Sequence, residues 1–345
     1  ASSTIINMHR NLLRAALYAS GPVAGVTLCA AMPQSWPEMR KGSGVVHCLA
    51  DGTVESVRAA INYQAEGVQE VWTRRDASGS DDLLHGAQWV PTEVEVRNGR
   101  CHPLSLEING FQLTHDPKEK HADYYNEAEV VGRYYAECEA LVRGAIDAPP
   151  SACVVAFDHN VRCAEGRAAG RRVKGGNAVQ GPASLVHGDY TAVSAPRRLR
   201  LLGEPPKIND VRKGAPVLPV ADVADALERG RRFAFVNVWR PISTVEKEPL
   251  ACCDAGSVQE GQLLTFQIRY EDRVGENYFA RHSHAHRWFY FPSMGPDEAM
   301  LIKQWDSAAP SASAAFALHT AFDDPSSPSD ARPRESIEVR CAIIF

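Results

Sequence analysis

A histidine and an aspartate stand two residues apart in the segment Val186-His187-Gly188-Asp189-Tyr190-Thr191. On an extended strand, side chains two apart point to the same side. An imidazole nitrogen and a carboxylate oxygen so placed can grip one metal ion. A further histidine would complete a facial set of two His and one carboxylate, which leaves other coordination positions open. His319, 130 residues after Asp189, is the candidate. His-x-Asp alone is a common pair whose plainer reading is a surface His beside a turn Asp, so the rest of the chain has to decide. Arg334 follows His319 by 15 residues, and Ser336 sits two further on. A guanidinium forks onto a carboxylate through two parallel hydrogen bonds, and a hydroxyl on the same strand side adds a third. Arg-x-Ser therefore suits a ligand carboxylate.

Rival constellations are weaker. His282, His284 and His286 alternate and could face one way around zinc, but no carboxylate joins them and the segment reads as a turn. His159 beside Asp158 is a lone pair. Cys252-Cys253 next to Asp254 lacks a histidine at a diagnostic spacing and reads as buried thiols. There is no Gly-x-Ser-x-Gly, which counts against an α/β-hydrolase, and no Gly-rich phosphate loop after a strand, which counts against a nucleotide enzyme.

The elements that must position these groups can be read in outline. Residues 44–75 alternate enough for strands or a short helix, 76–86 read as a loop, 90–98 as a strand, and Pro103–Leu113 as a strand with a turn at Asn109-Gly110. From Tyr125 to Ile146, apolar residues recur at three and four positions, the pattern of an amphipathic helix. Cys153–Phe157 reads as a short strand, and the basic, Gly-rich stretch 160–182 as a mobile loop with a lid as its functional alternative. Helices are expected from Pro196 to Leu202 and Pro219 to Arg231. Strands are expected over Phe233–Val238, Leu263–Tyr270, Trp288–Pro292, Ala299–Gln304 and Glu335–Phe345. Many short strands late in the chain, with helices before and between them, indicate a mainly β fold with flanking helices: a double-stranded β-helix, or jelly roll. Its first and last core strands lie close, so His187, Asp189 and His319 can meet. The expected organisation is an N-terminal extension with strands packed on the core over 1–120 and the jelly-roll core over 121–345.

Composition excludes several classes. A net charge of −5 with no basic block argues against a nucleic-acid partner. No apolar run is long enough for a membrane span. Nine scattered cysteines without a Cys-x-x-Cys suit free thiols in a reducing compartment, and the expected location is cytoplasmic. Residues 11–32 are mildly apolar behind Arg10 and Arg14, but Gly21, Pro22 and Gly25 interrupt any targeting helix.

Longer blocks carry a resemblance. Val186-His-Gly-Asp-Tyr-Thr191, Phe235-Val-Asn-Val-Trp-Arg-Pro-Ile242, Pro249-Leu250 with Asp254-Ala255, His286-Arg-Trp-Phe-Tyr-Phe-Pro292, His319-Thr-Ala-Phe-Asp-Asp-Pro325 and Pro333-Arg-Glu-Ser-Ile-Glu-Val-Arg340 are similar to a fungal and bacterial family of iron- and 2-oxoglutarate-dependent oxygenases. Its members include a gibberellin desaturase, a cephamycin hydroxylase component and tailoring enzymes of fungal secondary metabolism. The likeness runs from about residue 120 to the C-terminus. It implies Fe(II) on His187, Asp189 and His319, and 2-oxoglutarate anchored by Arg334 with Ser336 or Arg340. The implied reaction uses O2 on a small secondary-metabolite or amino-acid substrate and releases succinate and CO2, with hydroxylation, desaturation or ring closure such as aziridine formation as its outcomes. Ile343 and Phe345, on the apolar side of the last strand, are the candidates for limiting substrate size. Arg197, Trp239 and Arg240 are candidates for a carboxylate or polar head, core packing being the alternative for Trp239. A homodimer is allowed for. Two other readings stay open: an iron oxidase on the same fold that needs no 2-oxoglutarate, and a non-catalytic jelly-roll binding protein.

Overall fold

The computed structural model describes residues 36–75, 83–207, 210–271, 273–311 and 313–345, which belong to one compact unit. The apolar segment 11–32 and most of the 76–86 loop lie outside the described residues. The strands, in chain order, are β1 (Val46–Cys48), β2 (Val54–Gln64), β3 (Val71–Arg74), β4 (Trp89–Asn98), β5 (Phe111–His115), β6 (Cys153–Cys163), β7 (His187–Gly188) and β8 (Phe233–Pro241). They continue with β9 (Leu250–Cys253), β10 (Leu263–Arg269), β11 (Val274–Ala280), β12 (Trp288–Tyr290), β13 (Glu298–Asp306), β14 (His319–Ala321) and β15 (Glu335–Ile344). The helices are α1 (Glu127–Glu129), α2 (Tyr135–Ala145), α3 (Ala164–Ala168), α4 (Ser194–Leu202) and α5 (Val220–Glu228).

The strands form two sheets, one of ten strands in the order β1-β2-β4-β12-β9-β14-β7-β11-β10-β3 and one of five in the order β5-β13-β8-β15-β6. Most neighbours are antiparallel; β3–β10 and β4–β12 are parallel. This is the jelly roll expected. Between the sheets lies an apolar core that joins Val57, Ala59 and Ile61 of β2 and Trp288 and Tyr290 of β12 to Phe235 of β8 and Ala342 and Ile344 of β15. A second core lies on the other face of the five-stranded sheet, where Cys138 and Val142 of α2 pack with Val236 and Val238 of β8 and Val339, Cys341 and Ile343 of β15. The sheet is thus covered on both faces, and β8 is buried along its whole length.

The helix expected over Tyr125–Ile146 is present, with a π-turn at Val130–Tyr134 between α1 and α2. Asn126 caps it, its side chain accepting from the Ala128 N–H. The alternation over 44–75 resolves as strands. Three expectations are corrected. The strand expected over Pro103–Leu113 begins only at Phe111 and runs to His115, with a turn over 106–109 before it. The strand beginning at Cys153 does not stop at Phe157; β6 runs on to Cys163 and pairs with β15 along ten positions. The supposed loop therefore starts later, and its remainder is tied down: the Lys174 N–H donates to the Tyr125 carbonyl, and Arg162 donates to the Gly181 carbonyl. The polar residues Asp158, Asn160 and Arg162 broke the apolar pattern because they line an interior polar face. The short strands β9 and β11, the latter rich in half-buried polar positions, had no expectation at all.

Candidate metal centre

His187 and Asp189 bracket Gly188 at β7, and β14 runs antiparallel beside it with His319 directly opposite His187. The imidazole rings are 4.2 Å apart between centroids. His187 Nε2 lies 3.8 Å from Asp189 Oδ1, and one donor atom from each of the three residues falls within 4.8 Å of the others. Among the described residues this is the one group of three or more His, Cys, Asp or Glu side chains so clustered. Gly188 is required by packing: a Cβ there would sit 2.7 Å from two ring carbons of Phe316. Phe316 in turn stacks on Tyr278, whose backbone pairs with Gly188.

The hydrogen bonds prepare these groups as ligands. His187 Nδ1 lies 2.9 Å from the Leu185 carbonyl and His319 Nδ1 lies 3.2 Å from the Ala317 carbonyl. A carbonyl can only accept, so both rings carry the proton on Nδ1 and present Nε2 as a lone pair. Burial, reinforced by the neighbouring His319 ring, takes the His187 pKa down to about 4; burial lowers that of His319 as well. Burial pushes the Asp189 carboxyl up, but Arg340 and the two histidines outweigh it and hold it well below the usual carboxylate range. Two neutral imidazoles and one carboxylate fit a divalent first-row metal. Asp189 Oδ2 accepts from Asn237 Nδ2 at 3.0 Å and Arg340 Nε at 3.4 Å, and the Asp189 N–H donates to Gln304 Oε1.

Alternation along β15 sends Ser336, Glu338 and Arg340 to the interior polar face, and Arg334 stands one residue ahead of the strand. Arg334 is 1% exposed, and its Nη1 donates to the Glu248 carbonyl at 2.6 Å. Its Nε has no hydrogen-bond partner, nor has the buried Ser336 Oγ. Trp239 lies beneath the guanidinium, with Cζ 5.4 Å from the ring centroid. Burial and the facing Arg162 draw the Arg334 pKa down from 12.5 to about 10, with Glu248 and Glu338 opposing. A buried guanidinium and hydroxyl with unmet donors fit an anionic ligand.

The other expected residues fall elsewhere. Arg340 gives each of its nitrogens to a carboxylate: Asp189, Asp158 and Glu338. Arg240 is fully buried on the helix-covered face, held by Tyr134, Asp116 and the Pro296 carbonyl. Arg197 is exposed on α4 and donates to the Val274 carbonyl. Ile343 and Phe345 belong to the core packed around α2, on the opposite face of β15 from Ser336 and Arg340. This corrects their assignment as pocket wall: an apolar strand face here packs on a helix, while the polar face looks inward. His286 has both ring nitrogens engaged, by Tyr63 and Gln262, so the alternating histidines do not form a metal site. Asn237, Gln304, Glu338 and Arg162 were missed. Only Asn237 had a readable signal, a single amide inside the apolar run of β8.

A jelly roll with two histidines and one carboxylate converging on a point is the architecture of a mononuclear non-haem metalloenzyme. Residues 61–344 match the family model described as an oxidoreductase/YMDC permease-like domain, and the chain belongs to that family. It is similar to an uncharacterized protein in the dcmA 3' region of Methylophilus leisingeri, at 31% identity over 54% of this chain and 91% of that one. It is also similar to the Fe(II)/2-oxoglutarate-dependent dioxygenase NvfI of Aspergillus novofumigatus, at 29% identity over 74% of this chain and 84% of that one. Among solved structures, the iron and alpha-ketoglutarate-dependent endoperoxidase NvfI superposes with a TM-score of 0.66 at 23% identity, over 84% of this chain and 98% of that one, which bears on the fold.

Proposed function

We propose that His187, Asp189 and His319 hold Fe(II), that Arg334 and Ser336 hold the far carboxylate of 2-oxoglutarate, and that the chain is an Fe(II)/2-oxoglutarate-dependent dioxygenase acting on a small molecule. The observation that carries this is Arg334: a buried guanidinium with an unmet Nε–H, two residues before an unmet Ser336 hydroxyl, at the start of the strand that also reaches Asp189. When bound, iron and 2-oxoglutarate supply the oxidising power that activates a C–H bond with O2, 2-oxoglutarate leaving as succinate and CO2. The protein's part is placement. The carbonyls of Leu185 and Ala317 fix both imidazole tautomers. Asn237 and Arg340 fix the Asp189 carboxylate, and Trp239 backs the Arg334 guanidinium. Hydroxylation, desaturation and ring closure remain alternatives for the product, and the substrate belongs to secondary or amino-acid metabolism in this reading.

The same reading places the enzyme in the cytoplasm, supported by the eight described cysteines, all free. No helix among the described residues is long and apolar enough to cross a membrane. Residues 121–345 are read as the catalytic core, with β1 to β5 extending its two sheets. The test is an anaerobic titration with Fe(II) and then 2-oxoglutarate, followed by aerobic turnover with candidate substrates. A weak visible charge-transfer band that needs both ligands, and one succinate per product, are expected. Product without succinate would favour the 2-oxoglutarate-independent oxidase, and no Fe(II) binding at all the non-catalytic protein.

A further inference from the structure

The Asp189 carboxylate is held by one of its oxygens only. Oδ2 accepts from Asn237 Nδ2 at 3.0 Å and from Arg340 Nε at 3.4 Å, while Oδ1 is the oxygen turned to His187 Nε2. The two donors come from adjacent strands, for Arg340 of β15 pairs directly with Asn237 of β8. Arg340 is itself fixed, with Nη1 on Asp158 Oδ2 at 3.0 Å and Nη2 on Glu338 Oε1 at 3.1 Å. Asp158 sits across from it on β6. Two strands of the five-stranded sheet thus converge on one oxygen atom of a residue just after β7 of the ten-stranded sheet, and a third, β6, holds one of the two donors in place.

A carboxylate can bind a metal through one oxygen or both. A second oxygen on the metal would take up a position that the other ligands need. We infer that Arg340 and Asn237 are positioning residues that make Asp189 a one-oxygen ligand, keeping Oδ2 off the metal and Oδ1 on it. This rests on the iron reading above. Arg340, expected from family resemblance to bind the cosubstrate, would instead act on iron through Asp189. Partners of this kind typically change metal affinity by about 10- to 100-fold.

The experiment compares metal-free wild type, Asn237→Ala, Arg340→Met and Asp189→Ala in anaerobic Fe(II) titrations. Co(II) is loaded in parallel, since its visible spectrum reports coordination number. Asn237→Ala is the safer variant, because Asn237 Oδ1 has no hydrogen-bond partner to lose, whereas Arg340→Met strands three carboxylates and can fail to fold. The expected result is Fe(II) affinity weakened about 10- to 100-fold in Asn237→Ala, a changed Co(II) spectrum, and a metal-free protein that still melts cooperatively, within about 5 °C of wild type. Wild-type affinity and an unchanged Co(II) spectrum in Asn237→Ala would overturn the inference while leaving the iron site standing. Wild type that binds no better than Asp189→Ala would overturn the iron site, and this inference with it.

Discussion

Replacing Arg334 by methionine should weaken 2-oxoglutarate binding while leaving the ligand-free protein as stable as wild type or slightly more so. The guanidinium is 1% exposed, and its pKa is drawn from 12.5 to about 10. At about 1.4 kcal/mol per pKa step, the charge is disfavoured in the ligand-free fold by about 3 kcal/mol. Methionine has similar reach and carries no charge. It forfeits the charge-assisted hydrogen bond to the Glu248 carbonyl, about 1.5–3 kcal/mol. The net gain is about 0–1.5 kcal/mol, a rise in melting temperature of at most about 2 °C for 345 residues. In the complex, Arg334 would supply two charge-assisted hydrogen bonds of about 1.5–3 kcal/mol each. Their loss should raise the 2-oxoglutarate Kd about a hundredfold to ten-thousandfold. Calorimetric titration of the Fe(II)-loaded protein gives the Kd, and thermal melts of the ligand-free protein give the stability. An Arg334→Met variant that melts several degrees lower yet binds 2-oxoglutarate as wild type does would refute the reasoning. Arg334 would then be a strut on the Glu248 carbonyl.

Other expectations follow from the same structure. Gly188→Ala forces a methyl into the Phe316 ring and should cost about 1–3 kcal/mol of stability; it should also weaken Fe(II) binding, because both ligands flank it, and thermal melts with metal titration check this. His187, with its pKa at about 4 in the fold against 6.5 as a free side chain, binds fewer protons folded than unfolded between those values. Its contribution therefore grows as pH rises from 4 to 6.5 and is flat above, so the stability of wild type relative to His187→Gln, followed by denaturant unfolding, should rise by about 3 kcal/mol over that window. Buried Glu338, whose carboxyl is raised by burial, acts in the opposite sense in both proteins and largely cancels in the comparison. Asp116→Ala leaves the buried Arg240 without its carboxylate and should destabilise by about 3–5 kcal/mol, with Fe(II) and 2-oxoglutarate affinities of the folded fraction unchanged.

Much of this site follows from strand parity. The two-residue spacing of His187 and Asp189, and of Arg334 and Ser336, puts each pair on one side of its strand. The long apolar run of β8 and the three-and-four periodicity of α2 are equally local, and each agrees with the element formed. Local pattern could not tell which face of a strand looks inward. On β15, Ile337, Val339, Cys341 and Ile343 alternate with Ser336, Glu338 and Arg340, and the usual expectation buries the apolar set in the barrel. Here both faces are covered, the apolar one by α2 and the polar one by the opposite sheet. The same ambiguity hid Arg162 and the second half of β6, whose inward polar side chains look like a solvated loop.

By itself, then, the sequence determined that a histidine and a carboxylate would share a strand side, that an arginine and a serine would do the same, and that alternating strands would build a jelly roll, because each follows from a backbone period of two or from residue chemistry. Tertiary structure alone decided that His319 stands opposite His187, that Gly188 must be bare beneath Phe316, that Arg334 keeps an unmet donor, and that Arg340 turns to Asp189. Those facts depend on the register between strands far apart in the chain, and register is set by how the whole sheet packs.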